Sequence, residues 1–492
     1  MTHHSRADLE RQCQSHKTDQ SLLSPFLEIP NEIVYVIFEL ACADNFLQDY
    51  PWPLSSEPPI KLTLPVIAYL PTLAISAVCT RWRSLALASP ILWSQIRVES
   101  ASRKDKVSDT QSGFISTLKL YLKRSVDTPL SIGLRTQGRV YVHGASPPLN
   151  LLLQHTCRWK SFSYFGDNEL KKCIGSSLSF PILQNLTVHG PHSVITSENL
   201  DSFANAPNLD SVATSAILKA VEESSVNWQQ VTSMDIWVAE GEDLDVLHRF
   251  PALTILKLRS SWSRFEPSTP LAKLHSLTFI DWTDSDDRDN KLLENMFIAF
   301  TIPALAELVI YPDNNGSISS LMWASDAFHG FISRSSCTLT TLSLSSVAIS
   351  DSDLISALRI LPSLTSFSIK GLENLDGGSP ITSHFMSSMH SSSAIPLLPR
   401  LRCLSIISHD TSFDDTAFVS MVSSRWISDR SLGIDCLRSL VLRFSDRWVE
   451  EEVYKPLWDL DRMGMRVIIT DIDYKGQFED VLWSSRNGLD RT

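Results

Sequence analysis

The sequence predicts a mixed α/β chain: a short N-terminal helical unit, then a long α/β solenoid whose strands align in a curved parallel sheet. Three observations predict it. Apolar side chains between residues 31 and 41 follow helical spacing. From about residue 114 onward an apolar-x-x-apolar-x-apolar triplet recurs, with steps of 21 to 37 residues between Val231 and Leu401. A proline stands just ahead of five copies, at Pro181, Pro251, Pro303, Pro362 and Pro399.

The helical unit is assigned to residues 24–99, after a polar tail at 1–23. Pro30 suits the first turn of a helix, where its missing N–H would be unpaired anyway, and Glu32 lies near the positive end of the helix dipole. Ile33, Val36, Ile37, Leu40 and Ala41 share one face, and Val34 and Phe38 form a second apolar strip beside it. A helix apolar around most of its girth needs burial on more than one side. A unit this small has little core of its own, so part of that surface is expected to meet other residues of the chain or another protein. Six prolines between 51 and 71 forbid a continuous helix, so residues 44–71 read as an extended insertion. A helical pair follows from Thr72 to about Ala88 and stops at Pro90, with Leu92 and Trp93 folding back as an anchor. Residues 100–113 read as a linker, residues 114–475 as the solenoid and 476–492 as a C-terminal tail.

Within the solenoid, Phe114 to Arg124 reads as a helix and Pro129 to Leu134 as a strand. Triplets then start at Trp159, Leu183, Val231, Leu253, Leu274, Leu305, Leu339, Leu364, Leu401 and Leu437, with a weaker copy at Leu209. This periodicity is that of leucine-rich repeats, which run at roughly 20–29 residues with a strand at the triplet. Longer steps imply helices or loops added on the outer side. Each proline is expected to end the preceding helix and set the chain extended. Apolar triplet positions would point into a core that no single repeat could bury alone. The intervening positions, among them Ser161, Ser163, Gln184, Thr187, Lys257, Ser276, Thr278, Ser343, Ser368 and Ser405, would face the concave side, a surface suited to recognition. The Ser- and His-rich stretch from Gly377 to Pro399 reads as a long loop, and Arg466 to Thr470 as a last strand.

The 492 residues carry 43 Lys and Arg against 55 Asp and Glu, a net charge of −12, which argues against a primary role on nucleic acid or anionic membrane. The eight cysteines form no Cys-x-x-Cys pair, so a zinc module is not expected and reduced thiols are. The N-terminus lacks the apolar segment of a signal peptide and no long apolar run follows, which points to a cytoplasmic or nuclear protein without a membrane span. No nucleotide-binding loop or nucleophile elbow occurs, and no nucleophile, base and orienter can be nominated together. The acidic run from Asp281 to Asp289 lacks the glycine and glutamate of a calcium loop, and His189 with His192 is too small a set for a metal. No cofactor and no catalytic residue are expected. Trp262 and Trp282, each just beyond a strand triplet, are the candidate substrate-binding residues at the rim.

Two segments carry a more specific resemblance. Ile29-Pro30-Asn31-Glu32-Ile33 with Ile37-Phe38, and Val78-Cys79-Thr80-Arg81-Trp82-Arg83 with Pro90-Ile91-Leu92-Trp93, resemble the two halves of an F-box. The proline-rich insertion, the run from Leu122 to Ile132 and Arg158-Trp159-Lys160 are similar to F-box proteins of mushroom-forming fungi. The resemblance implies a non-catalytic substrate receptor of an SCF-type ubiquitin ligase. Its Skp1-like adaptor, and through it cullin and RING subunits, would be bound by Ile29, Pro30, Ile33, Ile37, Phe38, Val78, Trp82, Leu92 and Trp93. The repeats would present an unknown protein target. The alternatives are a leucine-rich-repeat scaffold acting outside a ubiquitin ligase and, weakest, an enzyme built on the solenoid.

Overall fold

Period-two burial within each triplet is what organises this chain. The computed structural model describes residues 29–43, 45–48, 70–101, 113–137, 147–166, 170, 174, 178–190, 195–238, 244–260, 270–281, 291–313, 321–372, 379–409, 413–426, 433–445 and 447–471. They form two compact units, residues 1–193 with 198–209, and residues 194–197 with 210–492. Both are built, as the triplets predict, from stacked α/β repeats around parallel strands.

The first unit contains α1 (Asn31–Ala41), β1 (Asn45–Gln48), α2 (Pro71–Val78), α3 (Thr80–Ala88), β2 (Gln95–Ala101), α4 (Gly113–Arg124), β3 (Leu130–Gln137), α5 (Pro147–Leu153), β4 (Trp159–Gly166) and β5 (Asn185–His189). Its strands pair in chain order, all parallel. The sheet therefore starts within the stretch read as the helical unit: β1 lies in the expected insertion and β2 runs into the expected linker. The cause is a short alternation of apolar residues, Leu47 on β1 and Ile96 and Val98 on β2, all buried. The remainder of the insertion, residues 49–69, and of the linker, 102–112, lies outside the described residues.

The second unit runs through β6 (Ser211–Ile217), α6 (Leu218–Glu223), β7 (Ser233–Val238), β8 (Ile255–Ser260), β9 (Ser276–Asp281), α7 (Leu292–Ala299), β10 (Glu307–Pro312), α8 (Ser325–Ser335), β11 (Thr341–Ser345), α9 (Asp351–Arg359), β12 (Ser366–Lys370), α10 (Ser383–Met389), β13 (Cys403–Ser408), α11 (Asp415–Trp426), β14 (Ser439–Phe444), α12 (Glu451–Arg462) and β15 (Arg466–Thr470). Strands β6 to β15 again pair in chain order and in parallel. Short steps return through 3₁₀ turns, such as Leu244–Arg249 between β7 and β8, and longer ones through α7, α8 and α10. From α7 to α12 each helix packs on the next.

All ten triplets are buried, from Trp159, Phe162 and Tyr164 to Leu437, Leu440 and Leu442, and so are Leu209 and Val212 of the weaker copy. The prolines act differently from expectation. Each occupies the second position of a four-residue turn that closes on the first leucine of the triplet: Leu183 N–H to Phe180 O at 3.3 Å, Leu253 to Phe250 at 3.0 Å, Leu305 to Ile302 at 3.2 Å, Leu364 to Leu361 at 3.2 Å and Leu401 to Leu398 at 3.2 Å. A fixed proline φ suits that position. The segment read as a loop from Gly377 to Pro399 contains α10. Thr382 caps it through Phe385 N at 3.2 Å, and Phe385, Met386 and Met389 bury one face. Serine-rich composition hid that short apolar pattern.

Two polar devices join neighbouring repeats. Threonines just before the strands bond backwards: Thr254 Oγ1 to Thr232 O at 3.1 Å, Thr340 Oγ1 to Ala306 O at 3.0 Å and Thr365 Oγ1 to Thr340 O at 3.1 Å. Replacing Thr340 with valine, which keeps the shape, is expected to cost ~1 kcal/mol. A lower urea midpoint with unchanged slope would register it.

Arginines form the second device. Arg158 reaches Ser125 Oγ at 2.7 Å and Thr128 O at 2.9 Å, just past α4. Arg334, in the last turn of α8, donates to Phe297 O at 2.6 Å and Phe300 O at 2.8 Å, at the end of α7. Arg425, in the last turn of α11, donates to Met389 O at 2.5 Å, Leu398 O at 2.9 Å and Leu397 O, at and beyond the end of α10. A cation there satisfies carbonyls the helix leaves open and suits the negative end of its dipole.

Candidate partner-binding surface

Helix α1 presents two different faces. Pro30 precedes it with φ −55° and ψ 146°, and its carbonyl accepts from Ile33 and Val34 N–H, both at 3.1 Å. Glu32 occupies the first turn. Val34 and Phe38, one helical turn apart, are buried, and Phe38 meets the ring of Trp82 edge-on with centroids 5.1 Å apart. The other strip is open: Ile33 is 52% exposed, Val36 52%, Ile37 43% and Leu40 77%. Val78 at the end of α2, Leu87 on α3 and Ile91 beyond it are also exposed. Covering the four α1 side chains would contribute on the order of 4 kcal/mol, given about half of each still in water.

Several bonds fix this helix. Arg81 donates to Ile29 O at 2.6 Å and to Asn31 Oδ1 at 2.8 Å, joining the two sequence halves at the start of α1. Cys79 caps α3, its sulfur accepting from Trp82 N–H at 3.4 Å. Asn45 is fully buried. Its amide donates to Leu92 O and Gln95 O, both at 3.0 Å, and its carbonyl oxygen accepts from Tyr121 hydroxyl at 3.1 Å and Thr72 N–H at 3.4 Å. Thr72 Oγ1 also donates to Leu92 O at 2.9 Å. Burial raises the Tyr121 hydroxyl and the Cys42 thiol above their ordinary pKa values.

The nine residues implied as adaptor contacts therefore divide. Pro30, Ile33, Ile37 and Val78 are on the surface, and Ile29 and Trp82 are half-buried. Phe38, Leu92 and Trp93 are interior. Trp93 donates its indole N–H to Ala86 O at 2.8 Å, meets Tyr121 edge-on at 5.0 Å and lies under the Arg124 guanidinium at 4.4 Å. It is a core anchor. Val36 and Leu40, outside the nine, belong to the open strip with Ile33 and Ile37, as their helical spacing indicates.

The second surface is the outward face of the sheet in the second unit. On β7 to β10 its charges are matched. Asp235 takes Arg259 Nε at 2.9 Å and Lys257 Nζ at 3.2 Å, and Arg259 also approaches Asp313 at 3.6 Å. On β12 to β15 the outward positions are mostly hydroxyls and cations. Trp262 and Trp282 lie outside the described residues. Among the described residues no group of three or more His, Cys, Asp or Glu is placed to hold a metal ion, and no helix is long and apolar enough to cross a membrane.

No protein-family model matches the chain, and no curated protein does. Among solved structures, the leucine-rich repeat-containing protein LegL7 from Legionella pneumophila is similar over 69% of this chain and 91% of its own, at 12% identity and a TM-score of 0.36.

Proposed function

We propose that this chain is the substrate-recognition subunit of an SCF-type E3 ubiquitin ligase. Its F-box-like unit would bind a Skp1-like adaptor, and through it cullin and RING, while the repeats hold a protein target. It acts by recruitment and needs no catalytic residue of its own. The observation that carries the reading is the open apolar strip of Ile33, Val36, Ile37 and Leu40 beside Pro30 and Val78. A helix keeps such a strip in water at a cost unless something covers it. The second reading, a repeat scaffold acting outside a ubiquitin ligase, is favoured by the burial of Phe38, Leu92 and Trp93, three of the implied contacts.

Co-purification of the full chain with a Skp1-like adaptor separates the two. Wild type is expected to retain the adaptor. Ile33→Glu with Val36→Glu is expected to weaken it by about ten-fold or more with an unchanged melt, because both side chains are already half in water. Failure of the wild type to bind would remove the ligase reading and leave the scaffold.

A further inference from the structure

We infer that the outward face of β12 to β15 docks an acidic protein segment. This names the target class for the receptor reading above and rests on that reading only for its biological setting. The outward positions align in three rows: Ser366, Cys403, Ser439 and Arg466; Ser368, Ser405, Val441 and Ile468; Lys370, Ile407, Arg443 and Thr470. Every charged side chain in these rows is a cation, and five of the others are hydroxyls. Arg402 and Arg438, both exposed, stand immediately before β13 and β14.

The backbone sets the arginines in sequence. Arg438 N–H donates to Arg402 O at 2.8 Å, and Arg466 N–H donates to Arg438 O at 2.9 Å. Arg402 and Arg438 therefore stand level on neighbouring strands, about 4.8 Å apart in the backbone, and Arg466 stands one strand further on, level with Ser439. The first of them already holds a carboxylate: Arg402 Nε and Nη2 lie 2.9 and 2.8 Å from Asp435 Oδ2. Arg438 and Arg466 make no ion pair among the described residues.

Two contrasts give the patch meaning. The same face on β7 to β10 is neutralised internally through Asp235 and Asp313. The chain as a whole carries −12, so an acidic partner is repelled by most of its surface and drawn to this region. Apolar Ile407 and Ile468, both half-buried, lie between the cations, and the hydroxyls can donate to carboxylates. A peptide of mixed acidic and apolar residues fits that pattern. A nucleic-acid backbone, continuously charged, would meet the surrounding negative charge.

The test is fluorescence polarisation with the full chain and a labelled short peptide alternating Asp or Glu with Ser and Leu. A matched Asn/Gln peptide and an oligouridylate serve as competitors. The acidic peptide is expected to bind, and to lose about ten-fold in affinity in Arg438→Glu with Arg466→Glu. Added salt should weaken it as well. Lys455→Glu with Arg462→Glu, an equal charge change on exposed positions of α12, is expected to leave it unchanged. Equal binding of the Asn/Gln peptide, equal loss in both charge variants, or stronger competition by oligouridylate would each overturn the proposal. Arg438→Gln with Arg466→Gln answers the same question if charge reversal perturbs folding. Adaptor co-purification of these variants should match wild type whatever the peptide result, so failure here would not count against the receptor reading.

Discussion

Replacing Arg425 with methionine is expected to destabilise the second unit by about 3 kcal/mol or more. The side chain is fully buried, and its hydrogen-bond partners are the carbonyls of Met389, Leu397 and Leu398. Burial pushes the guanidinium down to about 10, so it remains charged at neutral pH. Methionine fills similar volume and removes the cost of desolvating a charge. It also leaves the carbonyls of Met389 and Leu397 without that donor in a closed space, while Leu398 O keeps the N–H of Leu401, and each stranded group costs about 1–3 kcal/mol. Leu398 adds to the loss, because it sits at φ 51° immediately before Pro399, a conformation unfavourable for a branched side chain. Arg425→Lys should fall between the two, since an ammonium has donors but not the planar fork. Urea denaturation followed by tryptophan fluorescence would measure the series. A methionine variant as stable as wild type would show that the carbonyls find other donors.

A comparable loss is expected in the first unit from Asn45→Leu. The substitution keeps the volume and removes both the donor to Leu92 and Gln95 and the acceptor for Tyr121 and Thr72. About 3–5 kcal/mol follows from stranding several of these groups at once. Asn45→Asp preserves shape but turns an oxygen toward two carbonyls, and it should be no better tolerated. Hydrogen exchange at α1, α2 and β2 should rise together, because the one amide ties their neighbourhoods. Protection lost only beside residue 45 would show that the bonds act separately.

The sheet was legible because its signal is local. A leucine, two positions and an apolar-x-apolar pair define a strand and its buried face within six residues, and the proline turn marks where it starts. Strand β1 was not legible: Asn45-Phe46-Leu47-Gln48 is too short to carry a triplet and is defined by pairing with β2, about fifty positions later. Helix α10 was obscured by serines, since composition weighs all residues equally while burial uses only Phe385, Met386 and Met389. On α1 both apolar strips could be read. Which of them faces inward could not, because the choice depends on Trp82, supplied from across the insertion. The arginine contacts were equally hidden. Arg158, Arg334 and Arg425 look like surface cations until the preceding repeat brings its carbonyls to them.

The placement of β1 has a mechanical consequence. A docking module joined by a linker can swing, and its cargo samples many distances. Here the helix bearing the open strip passes through Cys42 toward a strand that is hydrogen-bonded to β2, and Asn45 clamps the junction from inside. Among the described residues of the first unit, α1 packs on α2 and α3, and β1 is bonded to β2. Whatever seats on α1 therefore inherits a fixed bearing on those strands, and any freedom of aim must come from elsewhere in the assembly.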